Sequence, residues 1–131
     1  MKTTIISILI AIILIMGAFI LTSRNESSTG QATVNANNVT VVDGKQIIEI
    51  KAKGGFDPSK SVAKAGIPTV LRFETSGTFD CSSSVRIPNL GIGRNLPSSG
   101  STDIDIGIQQ ASSVQGTCGM GMYPFEIDFK N

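Results

Sequence analysis

The segment Thr102-Asp103-Ile104-Asp105-Ile106-Gly107-Ile108 alternates polar and apolar residues without a break. Successive side chains of a β-strand point to opposite faces, so this pattern collects the isoleucines on one face. A strand with one apolar face needs another layer to cover it. The same period recurs in Pro124-Phe125-Glu126-Ile127-Asp128-Phe129-Lys130 and, over a shorter reach, in Ser84-Val85-Arg86-Ile87, which Pro88 ends. Val39-Thr40-Val41-Val42 and Gln46-Ile47-Ile48-Glu49-Ile50-Lys51-Ala52 flank Asp43-Gly44, a pair that can adopt positive φ at both positions and so signals a hairpin.

Between these lie the short runs Ser61-Val62-Ala63-Lys64 and Val114-Gln115-Gly116-Thr117. A longer run, Pro68-Thr69-Val70-Leu71-Arg72-Phe73-Glu74-Thr75, places Leu71 and Phe73 on one face. Pro68 suits only the start or the edge of a strand. Gly54-Gly55, Phe56-Asp57-Pro58-Ser59 and Ala65-Gly66 read as breaks and turns, residues 75–80 as a loop, and residues 89–97 as a long connection. Gly, Ser, Thr, Val and Ile dominate the composition and Trp is absent, which favours strands and turns over helices. The expectation is an all-β domain of about seven strands, packed as a two-sheet sandwich.

The N-terminus has a different character. Residues 5–21 are almost unbroken apolar sequence, with Lys2 before and Arg24 after. With its uncharged flanks the run reaches roughly 20 residues, enough at about 1.5 Å per residue to cross a bilayer as a helix. A cleaved signal peptide is the rival reading, although no A-x-A-like site follows the run directly. Residues 1–23 are therefore an expected anchor or signal and 24–38 a polar flexible linker. Residues 39–131 are the folded domain, exported on either reading: single-pass at the cell membrane and facing outward, or secreted if the segment is cleaved.

Net charge is +1, with no block of Lys or Arg that would mark nucleic-acid binding. The chain contains no His. That excludes Ser-His and Cys-His nucleophile pairs and every His-ligated metal site, so a binding protein is expected and not an enzyme.

Sulfur is what remains. Apart from Met1 and Met16, all of it lies at Cys81 and in Cys118-Gly119-Met120-Gly121-Met122. Thiolates and thioethers are soft ligands that select Cu(I), whereas zinc wants four thiolate or imidazole donors. Gly119 and Gly121 would permit positive-φ turns that wrap the loop around an ion. Two alternatives stay open: a Cys81–Cys118 disulfide, the default for two cysteines in an exported domain, and methionines that merely fill a packed turn. The first could interconvert with a metal site, since oxidation would remove the thiols and reduction restore them.

The order of features resembles the cupredoxin-like domains. Gly55-Phe56-Asp57-Pro58, Val62-Ala63-Lys64-Ala65-Gly66-Ile67-Pro68 and Leu71-Arg72-Phe73 look like their opening. Cys81 with Ile87-Pro88-Asn89-Leu90-Gly91-Ile92 and Leu96-Pro97 looks like the middle, and the Cys-Gly-Met-Gly-Met loop resembles the closing metal loop of one subgroup found with copper-handling components. The resemblance spans roughly residues 46–130 and implies a Greek-key β-sandwich. It places Cys81 near the usual first His, Cys118 at the loop Cys, and Met120 and Met122 where a second His and a Met are expected. With both His missing, the blue-copper electron-transfer site cannot form. The implied function is Cu(I) capture, storage or transfer through Cys81, Cys118, Met120 and Met122, with a copper transporter or another copper-handling protein as partner. The alternative is a metal-free, disulfide-stabilised structural or interaction module.

Overall fold

A computed structural model of the chain describes residues 1, 5–8, 10, 12–13 and 37–131. The chain divides into two compact units, Met1–Gln31 and Ala32–Asn131. In the first, residues 5–8, 10, 12 and 13 are helical, and their isoleucines are exposed. The expected membrane span and linker fall mostly outside the described residues. Among the described residues no helix is long and apolar enough to cross a membrane.

The second unit is an all-β sandwich of ten strands among the described residues, against the about seven expected. They are β1 (Val39–Val42), β2 (Lys45–Ala52), β3 (Phe56–Asp57), β4 (Lys60–Lys64), β5 (Pro68–Ser76), β6 (Ser84–Ile87), β7 (Ile92–Asn95), β8 (Ser99–Ile108), β9 (Ser113–Cys118) and β10 (Pro124–Lys130). One sheet runs β1-β2-β5-β8 with β3 paired to β2, and the other runs β4-β10-β9-β6-β7. Both are mixed: β2 pairs parallel with β5 and β10 parallel with β4, the remaining pairings being antiparallel.

The β1-β2 hairpin closes on Asp43 and Gly44, at φ 51° and 75°, with Val42 opposite Lys45. That is the two-residue primed turn the Asp-Gly pair calls for. The strands missing from the sequence expectation are β3, read as part of a turn, and β7, read as part of a long connection. In β7 only Ile92 is partly buried, since the strand lies at a sheet edge and hydrogen-bonds to β6 alone. Without a buried face it leaves no apolar alternation to read.

Strand β8 follows the expected alternation through Ile104 and Ile106, both buried, but Ile108 is exposed. The pairing passes from Val70 opposite Asp105 to Thr69 opposite Gly107, so one residue of β8 is unmatched. Such a bulge reverses which face the following side chains occupy.

The core lies between the two sheets. Leu71, Phe73 and Ile48 from the first meet Ile87, Ile127 and Phe129 from the second, all at most 2% exposed. Phe56, Phe73 and Phe125 stack edge to face, with centroids 4.9 to 5.8 Å apart, the geometry that ring quadrupoles favour. Gln46 crosses from sheet to sheet: its amide nitrogen donates to Thr69 Oγ1 at 3.0 Å and Lys64 O at 3.2 Å, while Oε1 accepts from Lys64 N at 2.9 Å. At 1% exposure this side chain satisfies both edge groups of Lys64 in β4.

Candidate metal centre

Strand β9 ends at Cys118, where the chain leaves the core and turns back into β10. Cys118 N donates to Tyr123 O at 3.0 Å and Gly121 N donates to Cys118 O at 2.9 Å, which closes residues 118–123 into a tight loop. Gly121 takes the left-handed turn conformation at φ 77°, as the sequence leads one to expect. Gly119 does not. Its glycine is needed for space, because a Cβ there would stand 3.0 Å from Ser84 Oγ and 3.1 Å from Ser84 Cβ.

Cys81 opens a 3-10 turn, Cys81–Ser83, immediately before β6. Asp80 caps that turn. Its Oδ1 accepts from Ser82 N at 2.7 Å and from the Ser82 hydroxyl, and its Oδ2 accepts from Gly54 N at 2.8 Å. These bonds, the Ser82 hydroxyl first, hold the carboxyl below its ordinary value. Asp80 thus closes the expected loop of residues 75–80, one oxygen capping the turn and the other tied to Gly54.

The two ends meet as a Cys81–Cys118 disulfide, with Cα atoms 5.5 Å apart and a sequence separation of 37. Cys118 is fully buried and Cys81 partly exposed. Each sulfur also accepts a backbone N–H from the loop: Met120 N lies 3.3 Å from Cys81 Sγ, and Tyr123 N lies 3.4 Å from Cys118 Sγ. Each sulfur therefore already faces a backbone donor before any change in its bonding.

The methionines are not core filler. Met120 is 79% exposed and Met122 61%, and Phe79, two residues before Cys81, is also exposed. The four sulfur residues therefore share one end of the sandwich, with the cysteines bonded to each other and both thioethers facing solvent. Among the described residues no three His, Cys, Asp or Glu side chains gather as a metal cluster, so any metal here depends on the Cys/Met set. That set fits copper only when reduced, since a disulfide sulfur is a poor donor and a thiolate is the ligand.

Ser84 and Tyr123 escape a motif reading. Ser84 is the wall against which Gly119 packs, and Tyr123 supplies the N–H to Cys118 while its ring lies over Gly55, whose added Cβ would stand 3.7 Å from the ring. The signal for the second contact is Gly55 itself, held at φ 127°.

Known structures share this architecture. The metal-binding domain of the Streptococcus pneumoniae D39 Cu(I)-exporting P-type ATPase CopA, solved with Cu(I), superposes with a TM-score of 0.68 at 20% identity, covering 78% of this chain and 100% of that one. The solution structure of a copper binding protein in the apo form superposes with a TM-score of 0.68 at 24% identity, covering 76% and 100% respectively. At these identities the likeness shows the fold alone. No curated protein sequence matches the chain. The profile of the cupredoxin-like domain matches residues 10–126, nearly the whole sequence, and the chain belongs to the cupredoxin-like domain family.

Proposed function

We propose that this chain is a His-less cupredoxin-like protein that captures, stores or passes on a Cu(I) ion outside the cell membrane. In the reduced state Cys81 and Cys118 hold the metal, and Met120 and Met122 support it. The observation that carries the reading is the juxtaposition at one end of the sandwich: two cysteines within bonding reach, each facing a loop N–H, beneath two solvent-exposed thioethers. Neither the exposed methionines nor the Gly-spaced loop is required by a structural disulfide. The role is binding and not catalysis. The exposed isoleucines of the N-terminal helix support a membrane tether, and exposed thioethers suit handover to a copper transporter or another copper-handling partner by ligand exchange.

The disulfide also favours a second reading, a metal-free sandwich that serves as a structural or interaction module. Anaerobic Cu(I) titration against a chromophoric chelator, with thiols counted beforehand, separates the two. The reduced chain is expected to take copper from the chelator and the oxidised chain is not. Replacing Met120 and Met122 together by Leu should weaken the reduced site at least about tenfold, a loss that even outer-shell partners of a metal can cause. A reduced chain with both thiols free that leaves all copper on the chelator would refute the copper reading.

A further inference from the structure

The bulge in β8 turns Ile108 out of the core and onto the outer face of the first sheet. Residues paired across neighbouring strands share a face. Val42 pairs with Lys45 and Pro68 with Ile108, while Gln46 pairs with Thr69 one step further on, which sets Lys45 beside Pro68. Gln46 and Thr69 point inward and bond to each other in the buried interior, so the row Val42, Lys45, Pro68, Ile108 points outward.

The next outward row pairs Thr40 with Ile47, Ile47 with Val70 and Val70 with Asp105. Val70 is buried, yet it is not part of the core between the sheets. The two rows together make an apolar patch of Val42, Ile47, Pro68, Val70 and Ile108. Val42 stands 54% exposed and Ile108 57%, so no neighbour of the same chain covers its ends. One weak ion pair crosses the patch: Lys45 Nζ reaches over β5 to Asp105 Oδ2 at 3.8 Å, with both side chains at least half exposed.

The patch is self-complementary. A two-fold axis along the strands, midway between β2 and β5, exchanges β1 with β8 and β2 with β5. It sets Val42 against Ile108 of a second copy and Ile47 against that copy's Val70, so apolar groups meet apolar groups. Lys45 stands two strands from Asp105 in its own chain and would stand one strand from Asp105 of the second copy. A charged lipid surface calls for a rim of one sign, whereas this patch carries one charge of each. We propose that this face is an isologous interface through which two copies of the chain pair sheet to sheet, exchanging their Lys45–Asp105 ion pairs. The patch is small, so the pairing is weak and reversible. It also leaves the sulfur loop free: β2 runs from Lys45 at this end to Ala52, whose carbonyl accepts from Thr78, three residues before Cys81.

The test is sedimentation equilibrium of the oxidised full chain in density-matched nonionic detergent, across the micromolar to millimolar range that a small interface spans. Dimer should accumulate with concentration, and to the same extent in the reduced chain. Ile108→Asp should keep the parent's urea midpoint but raise the dissociation constant at least about tenfold. Lys45→Glu and Asp105→Lys should each weaken pairing, and an equimolar mixture of the two should pair again, because each supplies the charge that the other lacks. The ion pair within each chain stays broken in that mixture, so its recovery reads only the contact between copies. Three results would overturn the proposal: a parent that is monomeric at every concentration, a mixture that fails to recover, or a dimer that survives all three substitutions and so forms through residues 5–21 or another surface.

Discussion

Asp80 sets where Cys81 sits. Besides the bonds to its carboxylate, its carbonyl accepts from Ser83 N at 3.0 Å and from Ser83 Oγ at 2.8 Å, so one residue ties down the whole turn. Its carboxyl is held below the ordinary 3.8, chiefly by the Ser82 hydroxyl and then by the backbone N–H groups of Ser82 and Gly54. A depressed carboxyl contributes stability that is present above its unfolded pKa and is lost as the pH falls through the folded one. The acid limb of the stability curve, below about pH 4, should therefore carry the Asp80 contribution. In Asp80→Asn one oxygen is replaced by an amide that cannot accept from Gly54 N. The urea midpoint at neutral pH should fall by the equivalent of about 1 kcal/mol, a usual cost of losing one hydrogen bond, and the limb should flatten. Superimposable acid limbs for the parent and the variant would show that the cap carries no pH-dependent stability.

At the scale of elements, β9 and β10 show a packing requirement invisible to polarity patterns. Gly116 lies opposite Phe125, and a Cβ on Gly116 would come within 2.1 Å of the Phe125 ring. The ring can join the edge-to-face trio with Phe56 and Phe73 only because β9 is bare at that position. Gly116→Ala should cost about 1 to 3 kcal/mol, the range for forcing extra volume into a packed core. Gly93→Ala, where added volume meets open space, should stay within about 0.5 kcal/mol. Denaturant unfolding of the two variants checks the contrast, and equal midpoints would contradict it. Local chemistry decides the Asp43-Gly44 hairpin and the alternation of β10, and there the sequence pattern and the structure agree. No local pattern marks β7, which has no buried face, the exposure of Ile108, which follows from a bulge, or the Gln46 clamp. That clamp depends on the sheets bringing Lys64 to Gln46 across 18 residues of sequence, and no local pattern encodes such a pairing.

For the whole molecule, the sequence made the sulfur residues visible as a set but left open which of them bond to one another. Cys81 and Cys118 lie on different elements, and only the packing of the turn before β6 against the end of β9 brings them to 5.5 Å. The exposure of the methionines was equally unreadable, since Met fills cores as readily as it lines binding surfaces. The arrangement makes the disulfide and the proposed copper site alternative cross-links of the same two elements. Each would hold the loop of residues 118–123 to the neighbouring turn, one by a covalent bond and one through an ion. Closing a loop of 37 residues restricts the unfolded chain by an amount worth roughly 4 kcal/mol, so reduction should lower the melting temperature substantially. Cu(I) that binds the folded reduced state should then recover part of the loss, about 2.7 kcal/mol at a hundredfold excess over Kd. Calorimetry under anaerobic conditions should rank the oxidised chain highest, the reduced copper-loaded chain next and the reduced chain lowest, with copper leaving the oxidised chain unmoved. If copper shifted the oxidised and reduced chains equally, the metal would be binding outside the cysteine pair, and the two cross-links could not be alternatives.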